Sequence, residues 1–185
     1  MITPKEFRAI FAKRGLVQFS ATAVRRLSLA AADANWLTEI GLPRSAAPYI
    51  DFGGKHVIEI PTAADMWRIP NASQYYVIGS NGSGDPVAID TASQGQVVYL
   101  NHDDNFCRVF INSSVLQLAE SLVAYVQLIR ETQAVNGPDA FLDGNVPPTT
   151  QTKFAAAMSN IDSAAIHEGL WMDELAQFKK KQAGT

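Results

Sequence analysis

The sequence predicts an α+β fold: a pair of short helices, a mainly antiparallel meander sheet packed against helices, and a helical C-terminal tail. Three observations carry that expectation. Apolar residues recur at helical spacing before residue 41 and after residue 112. Between about 49 and 111 the period changes to runs rich in β-branched and aromatic residues. Gly, Asn, Asp and Pro punctuate those runs at turn spacing.

The first helix starts at Thr3-Pro4-Lys5-Glu6, where Thr3 caps, Pro4 takes the first helical position and Glu6 closes a capping box. Phe7, Ile10 and Phe11 share one face, and Gly15 ends the run. A second short helix is expected over 33–40, stopped by Gly41 and Pro43. Strands follow at 56–60, 74–79, 87–90, 96–100 and 106–111. Ser80-Asn81-Gly82-Ser83-Gly84-Asp85-Pro86 is a turn, as are residues 91–95 and Asn101-His102-Asp103-Asp104-Asn105. Asn112-Ser113-Ser114 then caps a long helix over about 113–133, with Val115, Leu118, Leu122, Tyr125, Val126 and Ile129 along one side. Gly137-Pro138 ends it, residues 136–149 form a loop, and 151–181 is helical in pieces. The lysines Lys179-Lys180-Lys181 suit a helix C-terminus. All of this fits one domain spanning 1–185.

Composition narrows the function. The chain has 185 residues, 47% hydrophobic and 18% charged, enough to bury a core. No apolar run approaches the roughly 20 residues that cross a bilayer, and the polar start carries no secretory h-region. The single Cys107 excludes a disulfide scaffold and suits a reducing cytoplasm. A net charge of −3 argues against binding nucleic acid directly through its phosphates. That charge is unevenly spread. Residues 1–50 hold seven basic and three acidic side chains, net +4, whereas 51–120 hold three basic and eight acidic, net −5. An acidic middle segment can steer a basic partner, although aspartates also mark turns.

No catalytic constellation emerges. The glycine-rich loop 79–84 lacks the Lys-Ser/Thr of a P-loop and leads into a strand, so it reads as a hairpin turn. His102, Asp103 and Asp104 have the chemistry of metal ligands or an acid–base pair, but His56 and His167 lie in distant segments and no HxH or HExxH spacing exists. Cys107 alternates within a strand and reads as a buried structural thiol. Trp36 and Trp171 read as core anchors. Trp67 lies in an irregular stretch, Asp65-Met66-Trp67-Arg68-Ile69-Pro70, where a partly exposed aromatic can anchor a partner. No cofactor and no metal is expected.

The order of motifs is more specific than any one of them. Gly41-Leu42-Pro43, Tyr75-Tyr76-Val77-Ile78-Gly79, Pro86-Val87-Ala88-Ile89-Asp90 and Gly95-Gln96-Val97-Val98-Tyr99-Leu100 together resemble the core of the SUKH superfamily. The segment Ile111-Asn112-Ser113-Ser114-Val115 with Leu118, Leu122 and Tyr125 is similar to that of SUKH-type immunity proteins. So is the tail Ile161-Asp162 with Ala165 and Trp171. The resemblance covers about residues 27–178, with Leu118 standing where an aromatic is usual and loop 136–149 particular to this chain. It implies a SUKH-like α+β domain of a bacterial, cytoplasmic protein of a polymorphic toxin system. Such a protein neutralises a cognate toxin, a nuclease or deaminase, by covering its active site. Asp65, Trp67, Asp85, Asp103 and Asp104 are the expected partner-binding residues. Two alternatives stand beside it: a scaffold or regulatory adaptor of the same fold, and a small hydrolase using His102, Asp103 and Asp104.

Overall fold

The computed structural model describes the backbone of residues 1–183, and their side chains except those of Lys55, His56 and residues 179–183. The expected lysine run 179–181 lies outside the described side chains. Helix α1 (Pro4–Phe11) carries the expected capping box, with the Glu6 amide donating to Thr3 Oγ1 and the Thr3 amide to Glu6 Oε2. Its buried Phe7 and Phe11 rings stand 4.8 Å apart, and Phe7 meets the edge of Trp36. Strand β1 (Leu16–Val17) and the short α2 (Ala21–Arg25) follow, neither of which periodicity can detect at such length. The expected second helix is α3 (Ala31–Asn35), continued by a π-helical turn to Ile40. Gly41 then turns the chain at φ +84 so that β2 (Leu42–Pro43) pairs antiparallel with β1. The Val17 carbonyl occupies the space a Cβ on Gly41 would need, so only glycine fits there.

The main sheet has six antiparallel strands in sequence order: β3 (Ser45–Ala46), β4 (Ile50–Phe52), β5 (Tyr75–Asn81), β6 (Pro86–Asp90), β7 (Gln96–Asn101) and β8 (Cys107–Asn112). The expected strand over 56–60 is absent. Gly53 and Gly54 both take positive φ, Gly54–Val57 forms a tight 3-10 turn, and Ile60 itself sits at φ +45. The first hairpin lies earlier, where Ile50-Asp51-Phe52 alternates buried, exposed, buried. The stretch around Trp67 is also regular. Residues Ala63–Trp67 form helix α4, with Thr62 and Asp65 in a second capping box.

Each face of the sheet is covered. Val87, Ile89, Val97 and Ile111 join a large apolar cluster that runs from Phe7 to Phe178. Val77, Ala88, Val98 and Leu100 join a smaller one, sealed by Ala63, Ile69 and Ala72 with Trp67, Tyr75 and Phe106 packed against it. Strand β6, covered on both faces, is buried along its whole length. The 22-residue α5 (Val115–Asn136) packs Leu118, Leu122 and Tyr125 into the large cluster. Ser114 caps it by accepting from the Gln117 amide, and the buried Asp33 accepts from the Leu116 amide. After the loop come α6 (Pro148–Ile161) and α7 (Gly169–Ala183), linked by a 3-10 turn over Ser163–Ile166.

Candidate functional site

Strand pairing places three turns at one end of the sheet. Ile50 pairs with Asn81, Ser80 with Pro86, and Asn101 with Cys107. The turns at Ala47–Tyr49, Gly82–Asp85 and His102–Phe106 therefore lie side by side. Their sequences are turn-forming for specific reasons. Asn81 Oδ1 accepts from the amides of Ser83 and Asp85, an Asx turn that folds the glycine-rich loop. Asn101 Oδ1 does the same for the Asp103 amide, and Asn105 and Phe106 complete the reversal at φ +49 and +57.

A carboxylate joins the second and third turns. Asp85 accepts from Asn81 Nδ2 at 2.8 Å, from the His102 amide at 2.9 Å and from His102 Nδ1 at 2.5 Å. Its side chain is 5% exposed, whereas that of His102 is 44% exposed. Burial opposes ionisation of Asp85. The hydrogen bonds from the His102 amide, the Asn81 amide group and the His102 ring together outweigh it and hold the carboxyl below its ordinary range. The same bond to Asp85, with Asp103 Oδ1 at 3.2 Å from Nε2, raises the affinity of His102 for its proton. The result is an imidazole ring held between two carboxylates, which favour its protonated form.

The five expected partner-binding residues divide. Asp103 and Asp104 are exposed on this turn, the Asp103 side chain 82% so. Asp85 is brought beside them but turned inward, so its carboxylate organises the turn and is not itself a surface contact. Asp65 and Trp67 belong to α4, on the sheet's second face. Asp65 Oδ2 accepts from the Thr62 amide at 3.4 Å to close its capping box and from Thr62 Oγ1 at 2.7 Å, and Trp67 is half-buried against the smaller cluster. Cys107 is not the buried thiol expected from alternation. The left-handed Phe106 delays the strand by one residue, and Cys107 begins the edge strand exposed. Among the described residues no group of three or more His, Cys, Asp or Glu side chains is placed to hold a metal. None of the described helices is long and apolar enough to cross a membrane.

At the sheet's opposite end a second polar network is largely buried, with Asn112, Ser121, Asp162 and Trp171 enclosed and Ser113 at its margin. Asp162 accepts from the Ser113 amide at 2.6 Å, Ser113 Oγ at 3.0 Å and Asn112 Nδ2 at 3.2 Å. Asn112 Oδ1 accepts from Trp171 Nε1 at 2.9 Å, and Asn112 Nδ2 also donates to Ser121 Oγ. Strand β8, helix α5 and the C-terminal helices are thereby fastened at one point. Residues 112, 113, 162 and 171, which the sequence presents as scattered similarities, meet here.

The fold and these two networks define an α+β domain with an internally locked C-terminal half and a rigid polar turn face. The model of the SUKH-4 immunity protein family matches residues 2–177, and the chain belongs to that family. No curated protein and no solved structure matches it.

Proposed function

We propose that this chain is a cytoplasmic bacterial immunity protein. It acts as one SUKH-like domain to neutralise a cognate toxin of a polymorphic toxin system, by binding it and covering its active site. Family membership supports toxin neutralisation, and the observation that carries the occlusion mechanism is the exposed pair Asp103 and Asp104 on a turn braced by Asp85 and His102. Such a face needs no acid, base or nucleophile of its own. It offers fixed negative charge, which suits a toxin that handles nucleic acid through a basic groove, such as a nuclease or deaminase. Rigid, preorganised charge raises the association rate and loses little entropy on docking. Asp65 and Trp67, on α4, extend the contact only if the toxin wraps past the sheet's edge.

The test is a tagged pull-down from the native host, followed by an activity assay on the partner retained. One near-stoichiometric protein whose nuclease or deaminase activity falls with added chain is the expected result. Recovery of housekeeping proteins alone would replace this reading with that of an adaptor.

A further inference from the structure

Tyr49 is the feature of the turn face that folding leaves unexplained. It is 77% exposed, although it is large and aromatic. Its backbone sits at φ +65, a left-handed conformation disfavoured for a bulky residue. Gly82 in the neighbouring turn leaves room for it, since a Cβ there would lie 2.9 Å from Tyr49 Cβ. A strained, solvent-facing aromatic contributes little to the core, and such outliers cluster where proteins engage ligands.

Tyr49 also separates two cavities that share it and Pro48. One, of about 280 Å³, is lined by Ile50, Tyr99 and Leu170. The other, of about 290 Å³, is lined by Tyr125, Phe141 and Leu142, and Leu142 is itself 70% exposed. Acidic side chains lie near this apolar ridge, although none of them lines either cavity. Asp139 and Asp143 are exposed on either side of Leu142. Asp173 is exposed on α7, close enough to Tyr99 to raise the affinity of that phenol for its proton, behind the effect of burial. Asp103 and Asp104 stand two turns along the sheet end. Arg14 lines the second cavity, and Lys13 and Arg130 line a depression that shares Arg14, Ala46, Ala47, Ile129 and Gln133 with it, so the far flank carries positive charge.

We propose that Tyr49 is the central anchor of a protein-docking surface whose occupant is a basic protein face that places one apolar side chain in each flanking cavity. The five aspartates complement lysines and arginines around those two knobs, while Tyr49 supplies the desolvated aromatic contact that dominates many interfaces. This rests on the toxin-binding reading above and names where the toxin is held.

The experiment places the photocrosslinker p-benzoylphenylalanine at position 49 of the full chain in its host. A control chain carries it at Ile58, another exposed apolar residue, beyond the far end of β4. Adducts are identified by mass spectrometry, and the wild-type chain is assayed against the protein captured. The expected result is an adduct at least tenfold stronger from position 49, lost when Asp139→Lys and Asp143→Lys are added. Tyr49→Ala, folded by circular dichroism, should bind the identified partner at least tenfold more weakly. An adduct with a second copy of this chain, equal adducts from both positions, or none would overturn the surface. If the pull-down partner is inhibited while position 49 gives no adduct, only the surface fails. If position 49 captures a basic protein whose activity the chain leaves untouched, the surface stands and the toxin reading fails.

Discussion

Two aspartates in this protein have nearly the same partners and opposite consequences. Asp162 and Asp85 each accept from a backbone amide, from an asparagine side-chain amide and from a further side-chain donor. Around Asp162 the carboxylate, Asn112 and Trp171 are buried and only Ser113 reaches the margin, and the bonds join segments 49 residues apart in the chain. Around Asp85 the carboxylate is covered but its partner His102 is half in solvent, and the bonds join two neighbouring turns. A hydrogen-bonded carboxylate locks topology when water is excluded and shapes a surface when it is not. The energy at stake follows the same division, because an abandoned donor in the interior cannot turn to water.

The sharpest way to break this contrast is to remove the buried acceptor. Asp162→Ala leaves the Ser113 amide and hydroxyl without their acceptor and Asn112 Nδ2 with only Ser121 Oγ. The expected loss of stability is about 2–4 kcal/mol by urea unfolding, because more than one donor loses its acceptor at about 1–3 kcal/mol each. Trp171→Phe keeps most of the packing but leaves Asn112 Oδ1 without its donor, and should cost about 1–3 kcal/mol. A loss under about 1 kcal/mol for Asp162→Ala would mean that the C-terminal helices are held by packing alone.

Next in size is the half-exposed counterpart. Asp85→Ala should cost about 1–2 kcal/mol, since the freed His102 amide and ring can partly rehydrate. The pair also carries a pH signature. His102, raised by its bond to Asp85 and by the nearby Asp103, stabilises the fold below about pH 6.5, its unfolded value, and that contribution fades as pH climbs through the folded one. Asp85, lowered, contributes above about pH 4, and its share is lost as pH falls through its folded value. The pair therefore contributes most between about pH 4 and 6.5. In thermal unfolding from pH 4 to 8, the gap between the wild type and Asp85→Asn should narrow toward pH 8. A gap that stays level would show that His102 does not titrate against Asp85.

Legibility followed the same division. The long elements could be read because each carries a sustained signal: the apolar side of α5, the β-branched and aromatic runs of β5 to β8. Short ones could not. Leu16–Val17 and Ser45–Ala46 are two residues each, and a period of two has no chance to show. His56–Ile60 looked like a strand because its composition suits one, but Gly53-Gly54 had already turned the backbone. Thr62-Ala63-Ala64-Asp65 carried the signature of a capped helix, and Ile50-Asp51-Phe52 alternated after Pro48; both signals were present and weak. Of the candidate site, Asp103 and Asp104 could be placed because turn aspartates between strands are exposed. The inward turn of Asp85 depends on a histidine 17 residues away that only the strand register brings back. Tyr49 was missed because nothing local distinguishes an exposed tyrosine from a buried one.

The smallest expected effect on stability is the most informative about function. Asp103→Lys with Asp104→Lys reverses two charges that make no hydrogen bond to the core through their carboxylates, beyond the contact of Asp103 with the exposed His102 ring. Unfolding free energy should move by no more than about 0.5 kcal/mol. Association with the partner should weaken at low salt by much more than at high salt. Exposed charges act across a Debye length of about 30 Å at 0.01 M ionic strength and only about 3 Å at 1 M. The loss should therefore appear mainly in the association rate, where long-range attraction acts, rather than in dissociation, which reflects packed contacts such as those at Tyr49. Titrating the rate constants of the double variant against salt separates the two. Rates that match the wild type at both salt concentrations would remove the acidic turn from the interface. A loss that persists undiminished at high salt would make Asp103 and Asp104 direct contacts rather than a steering field.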